Sequence, residues 1–343
     1  MDNEFLLQDR IDKIRAINEQ YNLEDNAYIS FSGGKDSTVL HYLIDLALPN
    51  NKIPRVFINT GIEYYNIVKF VKQLAEKDER FVILNSGVNI KEMLETYGYP
   101  FKSKQHSHNL AIYQNQKNII DCNDINFVRK QGKQKTKIIQ EPYCEPRETK
   151  YIDYHIPLTL VRYLGIEETT TKFRCPNILL YQFSNNFNVK CSDMCCNKLK
   201  KQPIKKWEKE NNKTIALTGM RKSEGGQRAS INCIITDKEN KLIKFHPLLV
   251  INDDFENWFI INQNIKLCDL YYPPFNFERT GCKGCPFNLN LQQQLKTMKK
   301  LLPNEYKQCE LIWKPVYDEY RRIGYRLKKQ EQMNIFDFIE EGE

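Results

Sequence analysis

The stretch Ala27-Tyr28-Ile29-Ser30-Phe31-Ser32-Gly33-Gly34-Lys35-Asp36-Ser37-Thr38-Val39-Leu40-His41-Tyr42-Leu43-Ile44 decides the fold. Ala27–Phe31 is a short apolar run with strand character. Thr38–Ile44 carries the apolar pattern of a helix. Between them lies a tight, glycine-rich turn. Gly33 and Gly34 let backbone N–H groups approach an anion closely. The helix start adds unpaired N–H donors and a partial positive charge. Lys35 supplies a full charge, and the hydroxyls of Ser30, Ser32 and Ser37 supply short donors. This chemistry suits phosphate. The spacing is not that of a Walker A loop, which requires Gly-x-x-x-x-Gly-Lys-Ser/Thr.

Outward from this junction the same alternation repeats. Strands are expected at 27–31, 54–58, 80–84 and 213–217, and helices at 36–47, 64–77 and 89–96. Residues 1–22 read as an amphipathic helix through Phe5, Leu6, Ile11, Ile14 and Ile17. Alternating strands and helices predict an α/β fold, a mostly parallel sheet with helices on both faces. The phosphate loop then falls at a carboxyl strand end, where such sheets bind ligands. Helices are expected at 288–301 and 303–326, the second starting at Pro303. The expected organisation is an α/β domain over 1–250 with a polar insertion at about 98–175, a helical part over 251–329 and an exposed tail at 330–343.

The loop resembles the PP-loop of the ATP pyrophosphatases, and within them the chain resembles the phosphoadenosine phosphosulfate (PAPS) reductase family. Asn59-Thr60-Gly61-Ile62-Glu63 resembles that family's Asp-Thr-Gly-x-Glu, with Asn59 in place of the Asp. Thr218-Gly219-Met220-Arg221-Lys222-Ser223-Glu224, with Arg228 beyond, resembles its Thr-Gly-x-Arg-x-x-Glu…Arg element. Pro247-Leu248 with Trp258 resembles its Pro-Leu…Trp segment. The matches span roughly residues 25–290. The resemblance implies an adenine-nucleotide alpha-hydrolase-like fold that binds ATP with Mg²⁺ and cleaves between the α- and β-phosphates. It implies nucleotide contacts at Ser30, Ser32, Gly33, Gly34, Lys35, Asp36, Ser37, Thr60, Gly61, Glu63, Gly219, Arg221, Glu224 and Arg228. Lys35, Asp36, Arg221 and Arg228 would carry catalysis. Asp36 either holds Mg²⁺ or caps the helix.

Eleven cysteines are many for a chain expected in the reducing cytoplasm, where a disulfide framework is not expected. Cys282-Lys283-Gly284-Cys285 presents two thiolates to one metal. With the adjacent pair Cys195-Cys196 it resembles the 4Fe–4S site of the adenylylsulfate-reductase branch and of the sulfur-activating subunit of DNA phosphorothioation. Structural zinc is the alternative. Cys175 and Cys191 are further thiols nearby, and Cys309 reads as a packing residue. Cys196-Asn197-Lys198-Leu199-Lys200…Pro203 also resembles the family's Cys-x-x-x-Lys…Pro element.

The 51 basic against 43 acidic residues give a formal net charge of +8, which suits nucleotide or nucleic acid, DNA or tRNA, as partner. No apolar run is long enough to span a membrane, and the first residues lack the regions of a signal peptide, so a cytoplasmic protein is expected. Arg129, Lys130, Lys133, Lys135 and Lys137 cluster within the insertion. Aromatic residues are sparse among them, which favours a solvated segment over a nucleic-acid surface. Gln332-Met333-Asn334-Ile335-Phe336-Asp337-Phe338 resembles the short peptide by which bacterial proteins dock on the sliding clamp. A cysteine desulfurase is the sort of sulfur donor such an enzyme requires.

Two enzymatic readings use this equipment. A sulfonucleotide reductase places its nucleophile in a C-terminal Glu-Cys-Gly-x-His segment, which does not occur in this sequence. An ATP pyrophosphatase that activates a substrate, nucleic acid above all, for sulfur transfer needs no such segment and is the reading preferred. A catalytically silent nucleotide-binding module is the third.

Overall fold

The structure, a computed structural model, describes residues 2–115, 133–139, 147–153, 157–165, 173–184 and 186–329. Eight strands occur among them: β1 (Ala27–Phe31), β2 (Arg55–Asn59), β3 (Phe81–Asn85), β4 (Lys133–Ile139), β5 (Arg147–Asp153), β6 (Ile215–Leu217), β7 (Ile234–Thr236) and β8 (Leu242–Phe245). Six form one sheet in the order β3-β2-β1-β6-β8-β7. Every pair in it is parallel except the antiparallel pair of β7 with β8. The expected α/β fold is therefore present.

β1 lies within the sheet because its side chains suit burial on both faces. Ala27, Tyr28, Ile29 and Phe31 are all buried. On one side β1 pairs with β2 in the register Ile29 to Arg55, and on the other with β6 in the register Ala27 to Ile215. Tyr28 packs edge-on against Trp207, with ring centroids 5.5 Å apart, and its hydroxyl donates to Glu208 Oε1 at 2.6 Å. Crossovers run through the helices Lys35–Ala47 and Tyr65–Ala75. The chain leaves β1 toward β2 and β3 and later returns to β6, on the opposite side of β1. The strand order thus reverses between β1 and β6. At such a switch point the loops leaving two neighbouring strands diverge and open a crevice. The loops in question are Ser32–Gly34 after β1 and Thr218–Arg221 after β6.

The chain divides into two compact units, each assembled from separated segments. The first comprises Met1–Asn89, Cys196–Lys283 and Gln294–Gln308 and contains the whole six-stranded sheet. The second comprises Ile90–Cys195, Gly284–Gln293 and the chain from Cys309. Within the second unit His106 is fully buried, its Nδ1 2.8 Å from Tyr163 Oη and its Nε2 2.7 Å from Gln182 Oε1. Burial lowers its pKa to about 4. A helix runs from Lys104 to Asn115.

Several expectations are refined. β4 and β5 form an antiparallel ribbon in the register Lys133 to Asp153 through Ile139 to Arg147, where a solvated segment without strands was expected. The polar composition of these strands concealed them, because they alternate without an apolar face. The single helix expected at 303–326 is two, Pro303–Ile312 and Lys314–Ile323. Pro315, at the start of the second, lacks the N–H that a continuous helix requires. Arg129, Lys130 and the tail segment 332–338 lie outside the described residues. No helix among the described residues is long and apolar enough to cross a membrane.

Gly219 shows how tightly the two loops approach. A Cβ there would lie 2.8 Å from Asp36 O and 2.9 Å from Asp36 C, both backbone atoms that cannot swing away. Gly219→Ala is expected to destabilise the protein by about 1–3 kcal/mol, read as a lower urea midpoint at unchanged slope. An unchanged midpoint would show that the loops are not held in this contact.

Candidate active site

The Ser32–Ser37 loop folds on itself through short hydroxyl contacts. Ser32 N–H donates to Ser37 Oγ at 3.2 Å, Gly34 N–H donates to Ser32 Oγ at 3.3 Å, and Ser37 Oγ donates to Gly34 O at 2.9 Å. Gly33 has φ +71°, and a Cβ on it would meet Ile67 Cγ2 at 2.9 Å, so the turn needs glycine for both conformation and space. The helix Lys35–Ala47 then starts with its N-terminus toward a cleft of about 1000 Å³.

The cleft gathers many of the residues singled out by sequence. Ser30, Ser32, Gly34, Lys35, Asp36 and Ser37 line it from β1 and its loop. Gly219, Arg221, Glu224 and Arg228 line it from the β6 side, and Glu63 from the turn after β2. Three others do not line it. Gly33 packs beneath the loop on Ile67, and Gly61 is exposed with its N–H donating to Asn59 Oδ1 at 3.2 Å. Thr60 is buried and holds Glu63 instead, donating to its carboxylate from N–H at 2.8 Å and from Oγ1 at 2.7 Å.

Arg221 is the hub. Its side chain is 6% exposed, and its Nε donates to Asp36 Oδ1 at 2.6 Å. Its Nη1 donates to Asp253 Oδ1 at 2.7 Å, and its Nη2 lies 3.2 Å from Glu256 Oε2. The same Glu256 oxygen lies 2.8 Å from Lys35 Nζ. Burial works against the guanidinium, but the surrounding carboxylates outweigh it and hold Arg221 charged. Glu256 is fully buried. That burial, aided by the like charge of Asp36, raises its pKa to about 7. Farther along the rim, Glu224 pairs with both Arg228 and Arg279.

Sequence reasoning passed over Asp253 and Glu256. They stand in the first turn of the helix Asp253–Asn262, capped by Asn252 Oδ1, which accepts from Phe255 N–H at 2.9 Å. Acids suit a helix N-terminus for electrostatic reasons alone, so the sequence gives no separate signal that they face Lys35 and Arg221. Lys200 is another residue of this kind, although its Cys-x-x-x-Lys setting was visible. Its Nζ lies 3.2 Å from Glu63 Oε1 and also contacts the Cys282 thiol. Burial disfavours the ammonium, but Cys282 and Glu63 outweigh it and raise its pKa. Burial in turn pushes the Cys282 thiol up against the opposing pull of Lys200.

The phosphoadenosine phosphosulfate reductase domain matches residues 26–137 and 163–288, well over half of the chain. The chain belongs to this family. The PAPS reductase family match takes in the phosphate loop, the Arg221 element and all four candidate metal cysteines. One curated relative, an uncharacterized protein of Methanocaldococcus jannaschii, is 38% identical over 73 residues, which is 21% of this chain and only 17% of that protein. Among solved structures, the chain is similar to a phosphoadenylyl-sulfate (PAPS) reductase from Candida auris. The TM-score is 0.38 at 13% identity, covering 75% of this chain and 81% of that one. It is also similar to a U34-tRNA thiolase from Methanococcus maripaludis solved with its [4Fe-4S] cluster. There the TM-score is 0.35 at 14% identity, covering 97% of this chain and 84% of that one.

Of the four cysteines, Cys196 and Cys282 belong to the first unit, where their thiols act on each other electrostatically. Cys195 and Cys285 belong to the second unit. Among the described residues no group of three or more His, Cys, Asp or Glu side chains is gathered closely enough to hold a metal ion. Cys191 is buried, and that burial pushes its thiol up. Cys175 and Cys309 are buried, the latter completely, and neither forms a disulfide.

The position of Glu256 implies a pH effect. As pH rises through about 7 its carboxylate ionises and competes with an incoming anion for Lys35 and Arg221. Glu256→Gln removes that competition. The ratio of wild-type to variant dissociation constants for pyrophosphate is expected to rise by up to about tenfold between pH 6 and pH 8, measured by calorimetry. A flat ratio would contradict it.

Proposed function

We propose that this protein is an ATP pyrophosphatase of the PAPS reductase family that activates an acceptor for sulfur transfer, with nucleic acid as the acceptor class. The observation that carries this reading is the pairing of Lys35 and Arg221 across the cleft at the switch point. Both cations stand beside a helix N-terminus, the arrangement that takes a polyphosphate.

In this reading the triphosphate lies along the Ser32–Ser37 loop. Lys35 meets the oxygens of the departing pyrophosphate, and Arg221 presents its planar fork to neighbouring oxygens. An acceptor oxygen attacks the α-phosphorus and the bond to the bridging oxygen breaks. The products are an adenylylated acceptor and pyrophosphate, which leaves with the electron pair of the broken bond. The outer sulfur of a persulfide on a donor of the cysteine desulfurase class then displaces AMP and forms a donor–acceptor disulfide, which a second thiol of the donor cleaves, leaving the sulfur on the acceptor and the donor oxidised to a disulfide. Lys35 and Arg221 face Asp36 and Asp253 and, once pH rises through about 7, an ionised Glu256, so the carboxylates at this point match and then outnumber the cations. A bare triphosphate meets repulsion there. Asp36 and Asp253 would hold a Mg²⁺ carried in with the phosphates, which would offset that repulsion, since Mg²⁺ commonly binds through one or two carboxylates together with substrate phosphates.

Of the four cysteines, Cys196 and Cys282 lie in the first unit with the cleft and are proposed as thiolate donors to a 4Fe–4S cluster. Their all-thiol chemistry suits iron–sulfur, and Lys200 beside Cys282 favours thiolate charge. Such a cluster supplies a site where sulfur is held or where the local field is tuned. The contribution of this chain's own residues is clearer: Lys200 and Glu63 connect Cys282 to the cleft through direct contacts. DNA or tRNA is favoured as acceptor by the +8 charge.

The test is pyrophosphate release from ATP with Mg²⁺ by anaerobically purified protein. Lys35→Ala is expected to lower the rate about a hundredfold, the scale for losing one partner of developing charge. Normal turnover by the variant would overturn the reading. Release of sulfite from PAPS or adenylylsulfate in the presence of thioredoxin, without pyrophosphate release from ATP, would establish the sulfonucleotide reductase instead.

A further inference from the structure

The first N–H of the phosphate-loop helix already has a partner. Lys35 N–H donates to Tyr271 Oη at 2.9 Å. Tyr271 Oη lies 2.7 Å from Thr280 Oγ1. Both hydroxyls press against the loop, since a Cβ on Gly34 would sit 3.3 Å from each. Tyr271 and Thr280 line the cleft beside Lys35 and Arg221. An N–H at a helix start directs its hydrogen along one line, and an oxygen at 2.9 Å on that line fills it. Tyr271 Oη therefore occupies a position that a phosphate oxygen would take. Its phenol stays protonated at neutral pH, since burial pushes its pKa up to about 12, so it is a weaker acceptor than an ionised phosphate oxygen.

Tyr271 is also tied to the cysteine region. Thr280, its partner, is followed by Gly281, at which an added Cβ would meet nothing within 4 Å, and then by Cys282. Cys282 touches Lys200, and Lys200 holds Glu63. The next residue is anchored, with Lys283 N–H donating to Ile62 O at 2.8 Å. Thr280 thus links Tyr271 through Gly281 to Cys282, and the segment ends at the anchored Lys283.

We propose that Tyr271 is a latch: a bound polyphosphate displaces its oxygen from Lys35 N–H, and the freed Tyr271–Thr280 pair shifts the segment leading to Cys282. This rests on the nucleotide reading of the cleft. It makes the environment of Cys282 responsive to nucleotide occupancy, so that the sulfur chemistry assigned to that region starts only when the nucleotide is in place.

The experiment is hydrogen–deuterium exchange on the full chain, with and without ATP and Mg²⁺, for peptides covering residues 277–283. Nucleotide binding is measured by calorimetry on the same samples. In the wild type ATP is expected to speed exchange of this segment about fivefold. Tyr271→Phe is expected to show the faster exchange without nucleotide, to change no further on adding it, and to bind ATP several-fold more tightly. Thr280→Val, which loosens Tyr271 without removing it, is expected to fall between the two. Unchanged exchange in the β1 and β6 peptides shows that each variant is folded. Wild-type protein that binds ATP with no change in 277–283, or a Tyr271→Phe protein that keeps the full ATP-dependent change, would overturn the latch alone. Failure of the wild type to bind ATP would overturn the nucleotide reading and the latch with it.

Discussion

The contact between Arg221 and Asp36 is the constraint on which the site depends. Asp36 sits at the start of the helix that follows β1, and Arg221 lies beyond the end of β6. Their hydrogen bond and the close approach of Gly219 to the Asp36 backbone together hold the two loops at the switch point. The guanidinium also reaches Asp253 and Glu256, which brings the N-terminus of a third element to the same place. A buried guanidinium is costly unless its donors are matched. Three carboxylates match them here, and the arrangement leaves Lys35 held at a defined point by Glu256.

Much of this was legible in the sequence. The Ser32–Ser37 loop announced itself because glycine, lysine and hydroxyl residues at a strand–helix junction have few other uses. Arg221 and Glu224 were legible through the spacing of their element. The carboxylates opposite them were not. Asp253 and Glu256 are ordinary helix-start residues by composition, and only the return of the chain after β8 places them against Lys35. Tyr271 and Thr280 gave no signal at all, because a tyrosine and a threonine in a loop fit many environments. The β4–β5 ribbon was hidden for a different reason: its strands lack the apolar alternation by which a half-buried strand is recognised. The break at Trp313 was readable in principle from Pro315, whose missing N–H interrupts the helix.

A chain of contacts also connects the wall of the cleft to Cys282. Glu63 is fixed by Thr60 on one side and by Lys200 on the other, and Lys200 reaches Cys282. Acid, base and thiol thus form a chain of polar contacts within the first unit, from the turn after β2, whose Glu63 lines the cleft, to Cys282. Family membership supplies the class of chemistry. On the proposed function, this chain of contacts supplies a physical reason why nucleotide and sulfur steps would be linked in one protein rather than divided between two.

The most direct test of the phosphate cradle is the affinity for inorganic pyrophosphate with Mg²⁺, compared between wild type and Arg221→Lys by titration calorimetry. Lysine keeps the charge and loses the planar fork that meets several oxygens at once. The account predicts a loss of at least about tenfold in affinity, the scale of one charge-assisted hydrogen bond, with the variant still folded. Unchanged affinity would contradict it, because the cleft would then hold pyrophosphate without the residue around which it is built.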